Sequence, residues 1–167
     1  TVTVNPLPIV DPGADASICE GDSIQLGTPS QGIYSSEWTS IPAGFTSTLS
    51  EPVVAPISTT QYFLTITNVV TGCVNTADVT ITVDSLPIID AGSNDTICEE
   101  QPSFSLSTAS GPVSGVSYTW QTFGDGSFDD NTSLNPVYTV GPNDIVNQTV
   151  TLRLTAVNDT GGCSLEI

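Results

Sequence analysis

LPIVDPGADASICEG (residues 7–21) returns as LPIIDAGSNDTICEE (residues 86–100). The two stretches share Leu-Pro-Ile, an Asp, a Gly, a second Asp and an Ile-Cys-Glu. Leu7 and Leu86 stand 79 residues apart, and so do Cys19 and Cys98. A period of that size is too long for a small solenoid repeat and suits a small domain used more than once. The parallel continues downstream: Trp38 follows Cys19, Trp120 follows Cys98, and a Gly-Cys pair closes each unit at Gly72-Cys73 and Gly162-Cys163. The chain therefore reads as two related domains.

The composition narrows what they do. The chain has no His and no Met, and Arg153 is its one basic side chain against eighteen Asp and Glu, for a net charge of −17. Nothing here neutralises phosphates, so nucleic-acid binding is excluded as an expectation. Aliphatic and aromatic residues suffice for packed cores, which argues against disorder. The charge is dispersed rather than run into an acidic tail; it opposes self-association and attracts cations.

Four cysteines in repeat-equivalent places suggest one disulfide per unit, Cys19–Cys73 and Cys98–Cys163. Four cysteines allow three pairings, and repeat symmetry selects this one. Each loop of roughly 55–65 residues is worth about 4 kcal/mol by chain entropy. Zinc lacks ligands: there is no His and no C-x-x-C. Disulfides imply an oxidising compartment and hence an exported protein. No signal peptide or membrane span is apparent, which reads as a mature fragment.

Helical periodicity is absent. Short alternating runs rich in Thr, Val and Ile sit between Pro, Gly, Asn and Asp clusters, an all-β pattern. SIQLG (23–27), EWT (37–39), QYFLTIT (61–67) and DVTITV (78–83) serve the first unit. Their inward faces carry Ile24 and Leu26, Trp38, then Tyr62, Leu64 and Ile66, then Val79, Ile81 and Val83. In the second unit Phe104 and Leu106 share a strand, VSYTWQT (116–122) presents Trp120, and TVTLRLTA (149–156) turns Leu152 and Leu154 inward with Arg153 outward. Many short strands around one Trp predict two tandem immunoglobulin-like β-sandwich domains. Trp38 and Trp120 are expected in the cores, and Tyr62 at a tyrosine-corner-like position. The expected bridges would tie loops at one end of each sandwich.

TVTV (1–4) aligns with TITV (80–83) at the same offset. The expected division is residues 1–4 as the last strand of a preceding repeat, 5–84 as the first domain, and 85–167 as a second domain short of its own final strand. A neighbouring repeat, or residues 1–4 of another copy, would then complete the open edge by strand addition.

The run LPIVDPGADASICEGDSIQL, then Trp38, YFLTIT and the Gly-Cys strand, resembles Ig-like repeats of Bacteroidetes surface proteins. These include gliding-motility adhesins and other proteins exported by the type IX system. YTWQTFGDGSFDDNTSLNPVYT (118–139) is similar to the polycystic-kidney-disease (PKD) repeat in Trp120, Phe123, Gly124, Asp125, Gly126, Asn135, Pro136 and Tyr138. Gln121-Thr122 stands where that repeat has Asp. The resemblance implies a non-catalytic stalk or filament repeat at the bacterial cell surface, serving adhesion or gliding. The alternative is a PKD-like accessory module of a secreted polysaccharide-degrading enzyme, with a polysaccharide or surface ligand elsewhere in the parent protein.

Two acidic groups are calcium candidates, the hard oxygen ligands that ion takes: Asp125, Asp129 and Asp130 in the GDGSFDDN loop, and Asp84, Asp90 and Asp95 near the domain junction. The preferred alternatives are an Asp-Gly hairpin turn and plain solvation, so no cofactor is assigned. Ser23, Ser85 and Thr96 each follow Asp and precede an aliphatic residue, as in the Bacteroidetes O-glycosylation signal. Asn94, Asn131, Asn147 and Asn158 begin N-x-Ser/Thr sequons. An enzyme is not expected, since no His or Lys is present to activate a Ser or Cys nucleophile.

Overall fold

The computed structural model describes residues 1–29 and 32–167. The chain divides into two compact units, Thr1–Ser85 and Leu86–Ile167.

In the first unit the strands are β1 (Ala16–Cys19), β2 (Ile24–Gln25), β3 (Tyr34–Ile41), β4 (Thr46–Ser47), β5 (Val53–Val54), β6 (Thr60–Asn68) and β7 (Val74–Asp84). One sheet runs β1-β7-β6-β3-β4 and the other pairs β2 with β5. β1 lies parallel to β7, with Ala16 opposite Ile81 and Cys19 opposite Asp84. The other pairings are antiparallel. A first strand lying parallel beside the last, with second and fifth strands on the opposing sheet, is the immunoglobulin-like plan.

Alternation builds the core. On β6, Tyr62, Leu64 and Ile66 point inward, as do Val79 and Ile81 on β7. Leu26 and Val54 close the layer from the other sheet. Trp38 is fully buried at 0% exposure, with its indole N–H donating to Leu49 O at 3.0 Å. A buried indole needs such a partner, since an unpaired N–H costs about 1–3 kcal/mol. The Tyr62 ring meets Phe45 edge-on, centroids 5.4 Å apart.

The second unit holds β8 (Ser103–Ser105), β9 (Val116–Thr122), β10 (Ser127–Phe128), β11 (Val137–Thr139), the helix α1 (Pro142–Asn147), β12 (Leu152–Asn158) and β13 (Ser164–Glu166). Its sheets are β10-β11-β8 and β13-β12-β9. The pairing differs from the first unit in one respect: β10 joins β11, whereas β4 pairs with the Trp strand β3. Trp120, Leu106, Ala109 and Leu154 form the core. The Trp120 indole again donates to a downstream carbonyl, Leu134 O at 3.2 Å.

One expectation needs revising here. Helix α1 forms in a chain whose sequence shows no helical periodicity, and β12 begins at Leu152 rather than 149. The cause is local: Gly141 precedes Pro142 at the first helical position, and Asp144 folds back onto the Gly141 N–H at 3.0 Å. β13 takes the place that β7 holds in the first unit but runs three residues against eleven. TVTV lies outside any strand, with Val2 and Val4 exposed.

The disulfide expectation is also corrected. Cys73 and Cys98 carry free thiols, whereas Cys19 and Cys163 are disulfide-bonded. Neither Cys19–Cys73 nor Cys98–Cys163 is formed. Strand register explains the first case. Cys19 sits opposite Asp84, at one end of β7, while Cys73 immediately precedes Val74 at the other. Eleven residues of extended chain separate those ends by about 36 Å. A disulfide tolerates a Cα separation of only about 7 Å.

Candidate functional site

The polar residues singled out in the sequence concentrate in the hairpin after β9. Gly124 N donates to Thr122 Oγ1 at 3.0 Å, and the Thr122 hydroxyl lies 2.8 Å from the Tyr138 oxygen. Tyr138 in turn donates to Asp144 Oδ2 at 2.7 Å. Because the phenol has one hydrogen and Asp144 takes it, Thr122 is the donor to Tyr138.

Asp125 and Asp144 cap each other's backbone. The Asp125 N–H donates to Asp144 Oδ1 at 3.2 Å. The N–H groups of Asn143 and Asp144 donate to Asp125 Oδ1, both at 3.2 Å. Asp125 thus satisfies the orphan donors of the first turn of α1. Gly124 and Gly126 are required by close approach: a Cβ on Gly124 would collide with the Asp144 carboxylate, and one on Gly126 with Thr139 O and the Tyr138 hydroxyl. The Gly-Asp-Gly run is therefore a backbone cradle for Asp144 and Tyr138.

Asp144 is a buried carboxylate at 5% exposure. Burial raises its pKa, but hydrogen bonds from Tyr138 and the backbone of Gly141, Asp125 and Gly126 outweigh it and hold the carboxyl below its ordinary value. Burial pushes the Tyr138 phenol up, aided by the neighbouring Asp144 charge. Sequence reading missed Asp144; its signal was GPND (141–144), a Pro-initiated turn with Asp three residues after the capping Gly.

The calcium candidates are occupied with backbone. Asp129 Oδ1 accepts from Val137 N and Asp130 N, each at 2.8 Å. Asp130 Oδ1 accepts from the Thr132 hydroxyl at 2.7 Å and the Thr132 N–H at 2.9 Å. The Thr132 hydroxyl is the main reason its carboxyl is held below the ordinary value. Asp90 bonds Gly92 N at 2.9 Å and bridges Ser110, while Asp95 bonds Thr96 N at 2.7 Å. Asp84 ends β7, where its carbonyl receives Glu20 N. Among the described residues no three acidic, Cys or His side chains converge on one point. The structure thus brings Asp125 to the helix and leaves Asp129 and Asp130 in a neighbouring turn.

An open groove of about 450 Å³ runs past Trp120, Thr122, Phe128, Asp129 and Asp130. Trp120 contributes an edge only, at 2% exposure. Phe123 is 56% exposed, and the Arg153 guanidinium lies 4.8 Å from its ring centroid. Arg153 also pairs with Glu166 at 3.0 Å. The glycosylation candidates Ser23, Ser85 and Thr96 are all exposed. Among the described residues no helix is long and apolar enough to cross a membrane.

No protein-family model matches the chain, and no curated protein matches it by sequence. Among solved structures it is similar to the N-terminal four Ig domains of Dscam1 isoform 8.4, at 12% identity and a TM-score of 0.35. That match covers 97% of this chain and 51% of the other, so the chain spans about half the length of the protein it resembles. The strand order described above carries the fold assignment.

Proposed function

We propose that the chain is a non-catalytic structural repeat of an exported bacterial surface protein, a bead in a stalk or filament that supports adhesion or gliding. The observation that carries this reading is the use of the conspicuous polar groups. Asp125, Asp129, Asp130 and Asp144 are bound to backbone or to one another and hold turns, and each Trp is sealed in a core. Side chains arranged this way stiffen a module rather than meet a substrate. The dispersed net charge of −17 supports the same reading, because it keeps densely displayed copies apart. Exposed Ser23, Ser85 and Thr96 are the proposed sugar acceptors.

In-frame deletion of this segment from the parent protein tests the proposal. Export should persist and surface attachment or gliding should weaken, with polysaccharide turnover unchanged. Loss of polysaccharide turnover with attachment intact would instead establish the accessory-module alternative. That alternative needs an aromatic platform, and its best candidate, Phe123, already has Arg153 stacked on one face. Intact mass of the protein from its native host tests glycosylation: an unmodified mass removes that part.

A further inference from the structure

The two units treat the outer edge of the Trp strand differently. In the first, β4 pairs with β3, setting Ser47 opposite Trp38 and Thr46 opposite Thr39. In the second, β10 pairs with β11 instead, setting Ser127 opposite Thr139 and Phe128 opposite Tyr138. One side of β9 is paired with β12 along its whole length, from Val116 to Thr122. On its other side one backbone bond is made among the described residues, from Trp120 N to Asn131 O at 2.7 Å.

Backbone groups alternate sides along a strand, which identifies those left over. Trp120 N points away from β12, while Phe123 N reaches Thr151 O on the β12 side. Thr122 therefore shares the outward side with Trp120. Asp129 N bonds Val137 O at 3.0 Å on the β11 side, so Phe128 turns its N–H and C=O the opposite way. Among the described residues Trp120 O, Thr122 N and Phe128 N have no backbone partner. The same three residues line the open groove of about 450 Å³. Two strand edges thus border one slot, and an unpaired edge is a template for another strand. Its floor is apolar and firmly packed: the Phe128 ring centroid lies 6.2 Å from that of Trp120 and 5.0 Å from that of Tyr138.

Charge selects what fits. Asp129 and Asp130 are exposed on one wall, and no side-chain cation lines the groove. A second copy of this chain brings a net charge of −17, and its Arg153 is already paired with Glu166 at 3.0 Å. Like charge opposes that contact, whereas Lys or Arg gains from it. We propose that the groove binds an extended segment of a different protein, carrying Lys or Arg on alternate residues, which adds as a strand between β9 and β10. Its backbone pairs with Trp120, Thr122 and Phe128, and its cations meet Asp129 and Asp130. Main-chain pairing supplies the affinity and charge supplies the selection. The proposal stands apart from the cellular role given above, because it rests on strand pairing and charge in the second unit alone.

The test uses the whole chain and a fluorescein-labelled peptide of alternating Lys and Val, about six residues long. Fluorescence anisotropy reads binding, and amide hydrogen exchange locates it. The peptide should bind, and at saturation the Thr122 and Phe128 amides should exchange about tenfold more slowly, with the first unit unchanged. The same peptide with Glu for Lys should bind about tenfold more weakly. Methylating alternate backbone nitrogens of the peptide should abolish binding, since it removes the donors that pair with a strand edge. The double variant Asp129→Asn, Asp130→Asn keeps an oxygen acceptor for each turn and should lower affinity about fivefold at low salt, a difference that vanishes at high salt. The peptide controls serve if that variant fails to fold. No binding, equal binding of the Glu peptide, or binding that leaves Thr122 and Phe128 exchange unchanged overturns the proposal. Protection of those amides that grows with protein concentration when no peptide is present also overturns it, by making the occupant a second copy.

Discussion

The Tyr138 hydroxyl donates to the buried Asp144 carboxylate at 2.7 Å, and the helix that carries Asp144 is held from the other side by Asp125. This contact ties β11, the β9 hairpin and α1 into one polar knot at the side of an otherwise apolar core.

Asp144→Asn should destabilise the protein by about 2–3 kcal/mol, since an amide cannot accept from Tyr138, Gly141 and Asp125 together. The pH dependence follows from the sign of the shift. A carboxyl held low in the folded state contributes fully above its unfolded value of about 3.9 and loses that contribution as pH falls through the folded value. Urea unfolding between pH 2 and pH 7 should therefore show a smaller acid loss in Asp144→Asn than in the parent chain.

Tyr138→Phe removes the donor to Asp144 and the acceptor for Thr122 while keeping the ring packed against Phe128, 5.0 Å between centroids. The expected cost is about 1–3 kcal/mol. The phenol is raised in the folded state, so its stabilisation is full below about pH 10 and lost as pH rises through the folded value. The variant should lose part of the alkaline destabilisation seen in the parent, as read by chemical denaturation at pH 8 and pH 11.

Trp38→Ala should cost about 3–5 kcal/mol, through the cavity and the freed Leu49 carbonyl. Trp fluorescence then reports Trp120 alone. If the second unit folds by itself, its transition should survive unchanged in the variant.

Calcium should leave the melting temperature unchanged relative to chelator, because the candidate carboxylates are already engaged with backbone N–H groups. A bound ion raises stability by mass action, about 2.7 kcal/mol at a hundredfold excess over Kd. A calcium-dependent rise of that size would show that the turns reorganise around the metal.

Arg153→Gln should change stability by less than about 1 kcal/mol, although it removes the one side-chain cation in the chain. Arg153 and Glu166 are 39% and 57% exposed, so solvent screens their pair. Parent and variant should converge at high salt in thermal denaturation.

Much of this was legible in the residues. The period of 79 marked two units, and alternation in QYFLTIT and DVTITV placed Tyr62, Leu64, Ile66, Val79 and Ile81 on inward faces. Those features are local: a period of two along a strand needs no knowledge of its partner. The Gly-Asp-Gly run was visible, but its purpose was not. Asp125 acts on backbone eighteen residues away, and which carboxylate it meets depends on how α1 packs.

The cysteines show the division most sharply. Sequence alone determined that they come in two repeat-equivalent pairs, because residue type and spacing are written in the chain. Symmetry of spacing then suggested a bridge within each unit. Tertiary structure decided otherwise: β1 runs parallel to β7, which carries Cys19 to the far end of that strand from Cys73. A covalent bond depends on distance in space, and strand direction set that distance.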